Sequence, residues 1–438
     1  MDLDNLDTFR IATCDLNGQM RGKRMPQKDQ RKLASGDLRM PLSVLNVDIW
    51  GADIINSPLL FASGDGDGYL LPTNRGPVPM PWLDQPSALV GMWMFEEDGR
   101  PFEGDPRHAL AQILDRYAAR GWQVVAATEL EFYLIDDSAE SLRPPKDPTS
   151  NRKIDSSAIL SLQQLDAFEP FFSELYQSCA QMGINAQAAS SEAGIGQFEI
   201  SLQHGDALRI ADDTWLFKAL LKGLARKHGY AASFMAKPYP NDAGNGLHLH
   251  FSVIDEAGEN IFDDGTKQGS PLLQNAIAGC LATMRAATLG FAPHANSYTR
   301  MDPENHAPTS ICWGYENRTA ALRIPAGAHR TRRIEHRVAG GDINPFLTLS
   351  LILGAALLGI EDDLTPPPPI TGNAYSQDLP QLIHSWPEAI DMFENDPMIA
   401  RILPAQLIEN FSLTKRQELD GLKNIPQEEH WKTYLETV

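Results

Sequence analysis

Two short segments, TELEF at 128–132 and LHLHF at 247–251, set like polar groups at alternate positions of otherwise apolar runs. Successive side chains of a β-strand point to opposite faces, so Glu129 and Glu131 share one face while Leu130 and Phe132 take the other. His248 and His250 follow the same pattern. Such strands fit a sheet with one apolar face and one face of acids and imidazoles. Two carboxylates on one face repel each other unless cations compensate them. A solvated sheet face is the alternative for the acids, and a structural or surface role is the alternative for the His-x-His.

In SSEAGIGQFEI at 190–200, Glu192 and Glu199 flank a glycine-containing turn that is able to return the chain and bring both acids together. Two exposed acids beside a loop would look the same. With Glu335 in RRIEHR, the glutamates and histidines form a candidate pair of oxygen-rich divalent sites. Carboxylates dominate and cysteine is absent from the set, which favours Mg2+ or Mn2+ over Zn2+.

Between Arg300 and Arg337 this acidic chain carries seven arginines and no lysine. The guanidinium fork holds carboxylates and phosphates bidentately, so an all-arginine stretch points to anion handling, with structural ion pairs as the alternative. Carboxylate-held Mg2+ beside arginines is what phosphoryl transfer from ATP requires. No P-loop and no kinase signature set occurs, so the phosphate site is of another design.

The net charge of −20 argues against nonspecific binding to nucleic acid or anionic membrane. The longest apolar run, Leu347 to Ile360, is well short of the roughly 20 residues a membrane span needs, and reads as a buried helix. No signal peptide is visible in MDLDNLDTFR, and Cys14, Cys179, Cys280 and Cys312 lack paired spacing, which fits a reducing cytoplasm. Residues 1–103 read as a small β-rich unit with runs at Phe9–Asp15 and Ala88–Phe95. Asp105 as N-cap and Pro106 at the first helical position then open an amphipathic helix that stops at Gly121. Residues 104–438 read as a second, α+β unit, with strands at Val124–Ile135 and Gly246–Ile254 and helices near 168–182, 212–229 and 270–290. Residues 136–158 read as an exposed loop, and Pro366–Pro369 break the chain before a more helical end.

The order of motifs resembles the glutamine synthetase family over nearly the whole chain: DLNGQMRGKRMP at 15–26, then TELEF, SSEAGIGQFEI, GNGLHLH, NSYTR, ENRTAALRIP, RRIEHR and the closing YLETV. The resemblance implies an α+β protein with an N-terminal β-grasp domain (1–103) and a catalytic domain (104–438) built as an open antiparallel half-barrel with surrounding helices. It implies active sites between subunits of stacked rings, usually dodecamers. It also implies two steps, in which ATP phosphorylates the glutamate side-chain carboxylate and an amine attacks the acyl phosphate. By motif position, one metal takes Glu131, Glu192 and Glu199, and the other Glu129, His248 and Glu335. His250 and Ser252 face the nucleotide. Arg300 and Arg337 bind glutamate carboxylates beside Gly244, Arg318 and Arg323 bind phosphate and nucleotide, and Arg333 joins them. Asp48 resembles the aspartate that a neighbouring subunit lends to the ammonium site.

One departure bears on function. Ammonia-using members carry a catalytic glutamate in a flap resembling R-x-x-P-G-x-E-A-P, where this chain has RMDPENHAP and His306 takes the position, with Glu304 two residues earlier. Ammonium must be captured as a cation and then lose a proton, whereas a neutral imidazole is able to serve as base for an alkylamine. Together with GNAYSQDLPQL and WKTYLETV, this resembles the γ-glutamylpolyamine synthetase branch. The expected activity is ATP-dependent ligation of glutamate to a primary amine such as putrescine or a small monoamine. An ammonia-using glutamine synthetase is the alternative within enzymes, and a non-catalytic relative the alternative outside them. Tyr375 precedes DLP as the adenylylated tyrosine of bacterial glutamine synthetases does, but the spacing differs by two residues and that regulation is not expected.

Overall fold

The computed structural model describes residues 3–60, 62–303 and 307–438. Five strands of the first hundred residues form one sheet: β1 (Thr8–Cys14), β2 (Met20–Pro26), β3 (Arg39–Pro41), β4 (Asp67–Pro79) and β5 (Ala88–Phe95), in the order β2-β1-β5-β4-β3. β1 lies antiparallel to β2 and parallel to β5. The β1–β2 turn is closed by Asp15, whose carboxylate accepts from the Asn17 and Gln19 amides and from Arg21 Nε at 2.7 Å.

Asp105 then caps the helix Pro106–Ala118 by accepting from Arg107 N at 2.8 Å. Beyond it nine strands form the second sheet: β6 (Gln123–Ile135), β7 (Ala186–Ser191), β8 (Gln197–Leu202), β9 (Gly205–Asp206), β10 (Ala231–Ser233), β11 (Leu247–Ile254), β12 (Trp313–Tyr315), β13 (Leu322–Ile324) and β14 (Ile334–His336). The main path runs β12-β13-β14-β11-β6-β8-β7, with β9 and β10 also pairing to β6. All its pairs are antiparallel except β12–β13, and the sheet curls into an open half-barrel. Leu130, Phe132, Phe198, Leu247 and Leu249 are buried, so one face is sealed beneath helices and the other carries the polar residues.

The helix Ala207–Lys227 packs on the sealed face and begins five residues before the expected start. Asp212 and Asp213 lie inside it, neutralised by Arg107 (two bonds of 2.8 Å) and Arg75 (3.0 Å). The expected helix at 270–290 is divided into Pro271–Met284 and Thr288–Phe291, and Thr288 Oγ1 donates back to Met284 O at 3.1 Å across the break. The apolar run forms the buried helix Pro345–Glu361. Its Gly359 meets Gly279 so closely that a Cβ at either would lie 2.1 Å from a backbone oxygen of the other helix. No helix among the described residues is long and apolar enough to cross a membrane. Residues 136–158 contain no helix or strand and are mostly exposed.

A C-terminal helix, Ala405–Leu422, is bonded to the loops of the first sheet. Lys415 and Glu418, both fully buried, form a 2.9 Å ion pair, and each bonds to Asn17 of the β1–β2 turn. The residues just before them add to this: Thr414 bonds Asn46 at 2.8 Å, and Gln417 bonds the Asp48 carboxylate at 2.8 Å.

Candidate active site

Strand register gathers the polar residues from five separate strands. Glu129 on β6 stands directly opposite His248 on β11, Glu131 opposite Glu199 on β8, and His250 opposite Glu335 on β14, which in turn faces Arg323 on β13. The β7–β8 turn brings Glu192 to the same place, as its glycines allow, and Ser190 Oγ donates to its Oε1 at 3.1 Å.

Glu129 is the hub. Its two oxygens lie 3.1 Å from His248 Nδ1 and 3.1 Å from His250 Nε2. Burial pushes its carboxyl upward, but the bonds to the two imidazoles outweigh this and hold it well below the usual carboxylate range. Two groups of donor atoms each lie within 4.8 Å: Glu129, Glu199 and His248, and Glu129, His250 and Glu335. The expected sets divide these residues differently, with Glu131 and Glu192 beside Glu199. In the structure Glu131 Oε2 accepts from Gly246 N at 2.5 Å, and His250 takes a place next to Glu335.

The acids Glu192 and Glu199 have no such compensation. Burial and then the charge of Glu131 push Glu192 up to about 7, and the same causes, with Glu129 and Glu192 added, push Glu199 up to about 9. Carboxylates crowded until they retain protons are a good fit to divalent cations, whose charge would replace those protons. The hard oxygen donors with one or two imidazoles suit Mg2+ or Mn2+.

Arginines close the other side. Arg323 Nη1 donates to Glu335 Oε2 at 2.7 Å and Nη2 reaches Glu316 at 3.5 Å, while Arg337 donates to the second oxygen of Glu335. Arg333 Nε donates to His250 Nδ1 at 3.2 Å, and Arg318 lies near enough to act on the charge of Glu192. Arg300 is buried and bonds Val338 O at 2.9 Å. A Cβ on Gly244 would lie 2.7 Å from the Arg300 side chain, so glycine there lets the arginine through. Beside the cluster a cavity of about 520 Å3 is lined by Glu129, His250, Ser252, Arg330 and Arg333.

Asp48 stands apart. Its carboxylate accepts from Trp50 N, Ala52 N and Gln417, all outside the cluster. Glu304 and His306 lie outside the described residues. Glu316, Ser190 and Gln197 escaped the sequence reading. Gln197 Nε2 holds Gly244 O at 2.9 Å and Asn245 Oδ1 at 3.0 Å, and its only sequence signal was its place inside SSEAGIGQFEI.

The chain is similar to known proteins along most of its length. The family model described as the catalytic domain of glutamine synthetase matches residues 103–434. The gamma-glutamylputrescine synthetase of Escherichia coli (strain K12) is 35% identical over 420 residues, covering 95% of this chain and 89% of its own. A glutamate–isopropylamine ligase of Pseudomonas sp is 31% identical, covering 99% and 96%. A solved structure described as a novel glutamine synthase homolog superimposes with a TM-score of 0.85 at 25% identity, over 100% of both chains.

Proposed function

The chain belongs to the glutamine synthetase family, and on that premise we propose that it joins the γ-carboxylate of glutamate to an organic primary amine at the expense of ATP. The observation that carries this reading is the pair of donor groups formed by Glu129, Glu199, His248, His250 and Glu335 on one sheet face, with Glu131 opposite Glu199 and with Arg323 and Arg337 bonded to Glu335. Curated relatives named for putrescine and isopropylamine support an organic amine.

In the first step a γ-carboxylate oxygen attacks the terminal phosphorus of ATP and the bond to the ADP oxygen breaks. In the second the amine nitrogen attacks the acyl carbon, phosphate leaves with the bonding pair, and the nitrogen gives up one proton. Arg300 and Arg337 hold the glutamate carboxylates beside Gly244. Arg318 and Arg323 neutralise charge on the transferring phosphoryl group, and His250, Ser252 and Arg333 line the nucleotide cavity. Mg2+ or Mn2+ held by the two donor groups would supply Lewis-acid compensation of the phosphate oxygens. His306, in the flap position, takes the proton from the amine, and Glu304 is its nearest acid in sequence.

Ring assembly belongs to the same reading. The Asp48 carboxylate has all its partners in its own loop and the C-terminal helix, and that fixed loop is suited to presentation to a neighbouring subunit. Four free, buried cysteines suit a cytoplasmic setting. Phosphate release with glutamate, ATP, Mg2+ and a panel of putrescine, alkylamines and ammonia tests the proposal. Turnover with at least one organic amine is expected. Saturating turnover with ammonia and none with any organic amine would overturn it in favour of a glutamine synthetase.

A further inference from the structure

Beside the arginine pair lies a hydroxyl with nothing to bond. Tyr375 sits in a single 3-10 turn, Ala374–Ser376, beyond the proline run. The turn is anchored at three points. Asn373 Oδ1 accepts from Tyr375 N at 3.0 Å, Thr319 Oγ1 accepts from Ala374 N at 2.9 Å, and Asn317 Nδ2 donates to Gly372 O at 2.8 Å. The tyrosine is thereby fixed to the segment that carries Arg318. Its hydroxyl oxygen is buried without a hydrogen-bond partner.

The groups whose charge reaches that hydroxyl are Arg337 and Arg300, and Arg300 in turn feels Tyr375. Arg337 Nε is likewise buried without a partner, although its Nη1 is engaged by Glu335. Leaving a buried donor unpaired is unfavourable, so native sites that keep one have a use for it. Ala374 packs against Ala320, and the next residue, Ala321, accepts from Arg337 N at 3.0 Å, so the turn with the unpaired hydroxyl and the strand end with the unpaired guanidinium nitrogen flank one short segment. What completes such a place is an anionic acceptor with more than one oxygen.

We propose that Tyr375 is a substrate-binding residue whose hydroxyl donates to a carboxylate of the glutamate held by Arg300 and Arg337. The inference rests on the reading of those arginines as the glutamate binders, and adds a neutral donor from a segment distant in sequence.

Tyr375→Phe removes one oxygen and leaves the ring in place. With the purified full chain, ATP, Mg2+ and the preferred amine, the variant is expected to raise the KM for glutamate five- to tenfold. The kcat, the KM for ATP and the melting temperature should stay within twofold or within 2 °C, because the one bond lost is made only to the bound glutamate. A glutamate KM within twofold of the parent overturns the proposal, and so does a parallel rise in both KM values, which marks a structural role. Calorimetric titration of L-glutamate, in the presence of Mg2+ and a non-hydrolysable ATP analogue, separates this inference from the ligase reading. If the parent turns over no amine but binds glutamate, and the variant binds it at least fivefold more weakly, the ligase reading falls while Tyr375 keeps its role. If the parent binds no glutamate, both fall.

Discussion

Glu129 Oε2 and His248 Nδ1 lie 3.1 Å apart because the two residues are direct partners in the antiparallel β6–β11 ladder. The contact is therefore fixed by the backbone of two long central strands, and side-chain flexibility has little part in it. The same carboxylate belongs to both donor groups, so it is the one residue whose loss disables each of them.

Glu129→Gln keeps the shape of the side chain and deletes its charge. The expected result is a fall in kcat/KM of roughly a hundred- to a thousandfold, the scale on which preorganised charge at a reacting centre acts. Mn2+ binding, followed by calorimetry, should weaken at the same time, while the melting temperature of the metal-free protein is kept or raised because crowding with Glu131 and Glu199 is relieved. Undiminished Mn2+ binding in the variant would remove Glu129 from the metal site.

Acid should destabilise the protein through His294. This imidazole is buried against Tyr434 (ring centroids 5.2 Å apart), with Glu418 at 3.9 Å, the charges of Lys415 and Lys218 around it and the Asp342 backbone beside it. Burial first, and then the two lysines, hold it well below its ordinary value of 6.5. The unfolded chain thus binds a proton near pH 6.5 that the folded chain refuses. Stability from this group is complete above 6.5 and is lost as pH falls below it, with a slope of at most about 1.4 kcal/mol per pH unit for one proton. Urea unfolding at pH 7.5, 6.5 and 5.5 should show the decline, and His294→Leu should flatten it. An unchanged slope in the variant would assign the acid sensitivity elsewhere.

The Asn17, Lys415 and Glu418 triad links the β1–β2 turn to the C-terminal helix with no exposure of either charge. Removing one member strands the other, which costs about 3–5 kcal/mol in buried pairs, whereas replacing both with apolar residues is close to neutral. Glu418→Leu alone should lower the urea midpoint sharply, and Lys415→Met combined with Glu418→Leu should recover most of the loss. A double variant no more stable than the single one would show that the ion pair itself, more than the avoidance of an unpaired charge, joins the turn to the helix.

The strands that carry the site were legible because their signal is local. Alternation of Glu129, Leu130, Glu131 and Phe132 placed β6 to within one residue, and the glycine approach to His248 did the same for β11. What the sequence withheld was register. Nothing local tells Glu335 to face His250, or Glu129 to serve two groups at once, since those pairings join residues from distant segments of the chain. The helix Ala207–Lys227 began early for a related reason. Aspartates at 212 and 213 are locally at home near a helix start, but here they are interior residues neutralised by Arg107 and Arg75 from distant segments. Tyr375 was visible as a letter in the sequence, while its unpaired hydroxyl beside Arg300 and Arg337 exists only in three dimensions.

The last prediction concerns a residue known from sequence alone. By the resemblance of RMDPENHAP to the family's flap motif, His306 is expected at the position where ammonia-using members carry a glutamate. Free ammonia is mostly ammonium at neutral pH, so an enzyme that uses it gains from an anion that captures the cation and then removes a proton. An imidazole that is neutral offers the second service without the first, which suits an alkylamine whose chain contributes its own binding. His306→Glu should therefore raise phosphate release with ammonia and lower it with organic amines. The ratio of the two kcat/KM values should move by at least roughly tenfold, equivalent to about 1.4 kcal/mol of transition-state preference. His306→Ala supplies the control, since it removes the base without adding an anion and should depress organic-amine turnover without any gain for ammonia. If the glutamate variant leaves the ratio where it was, the choice of nucleophile is made by other residues, and the presence of histidine in the flap loses its explanatory weight.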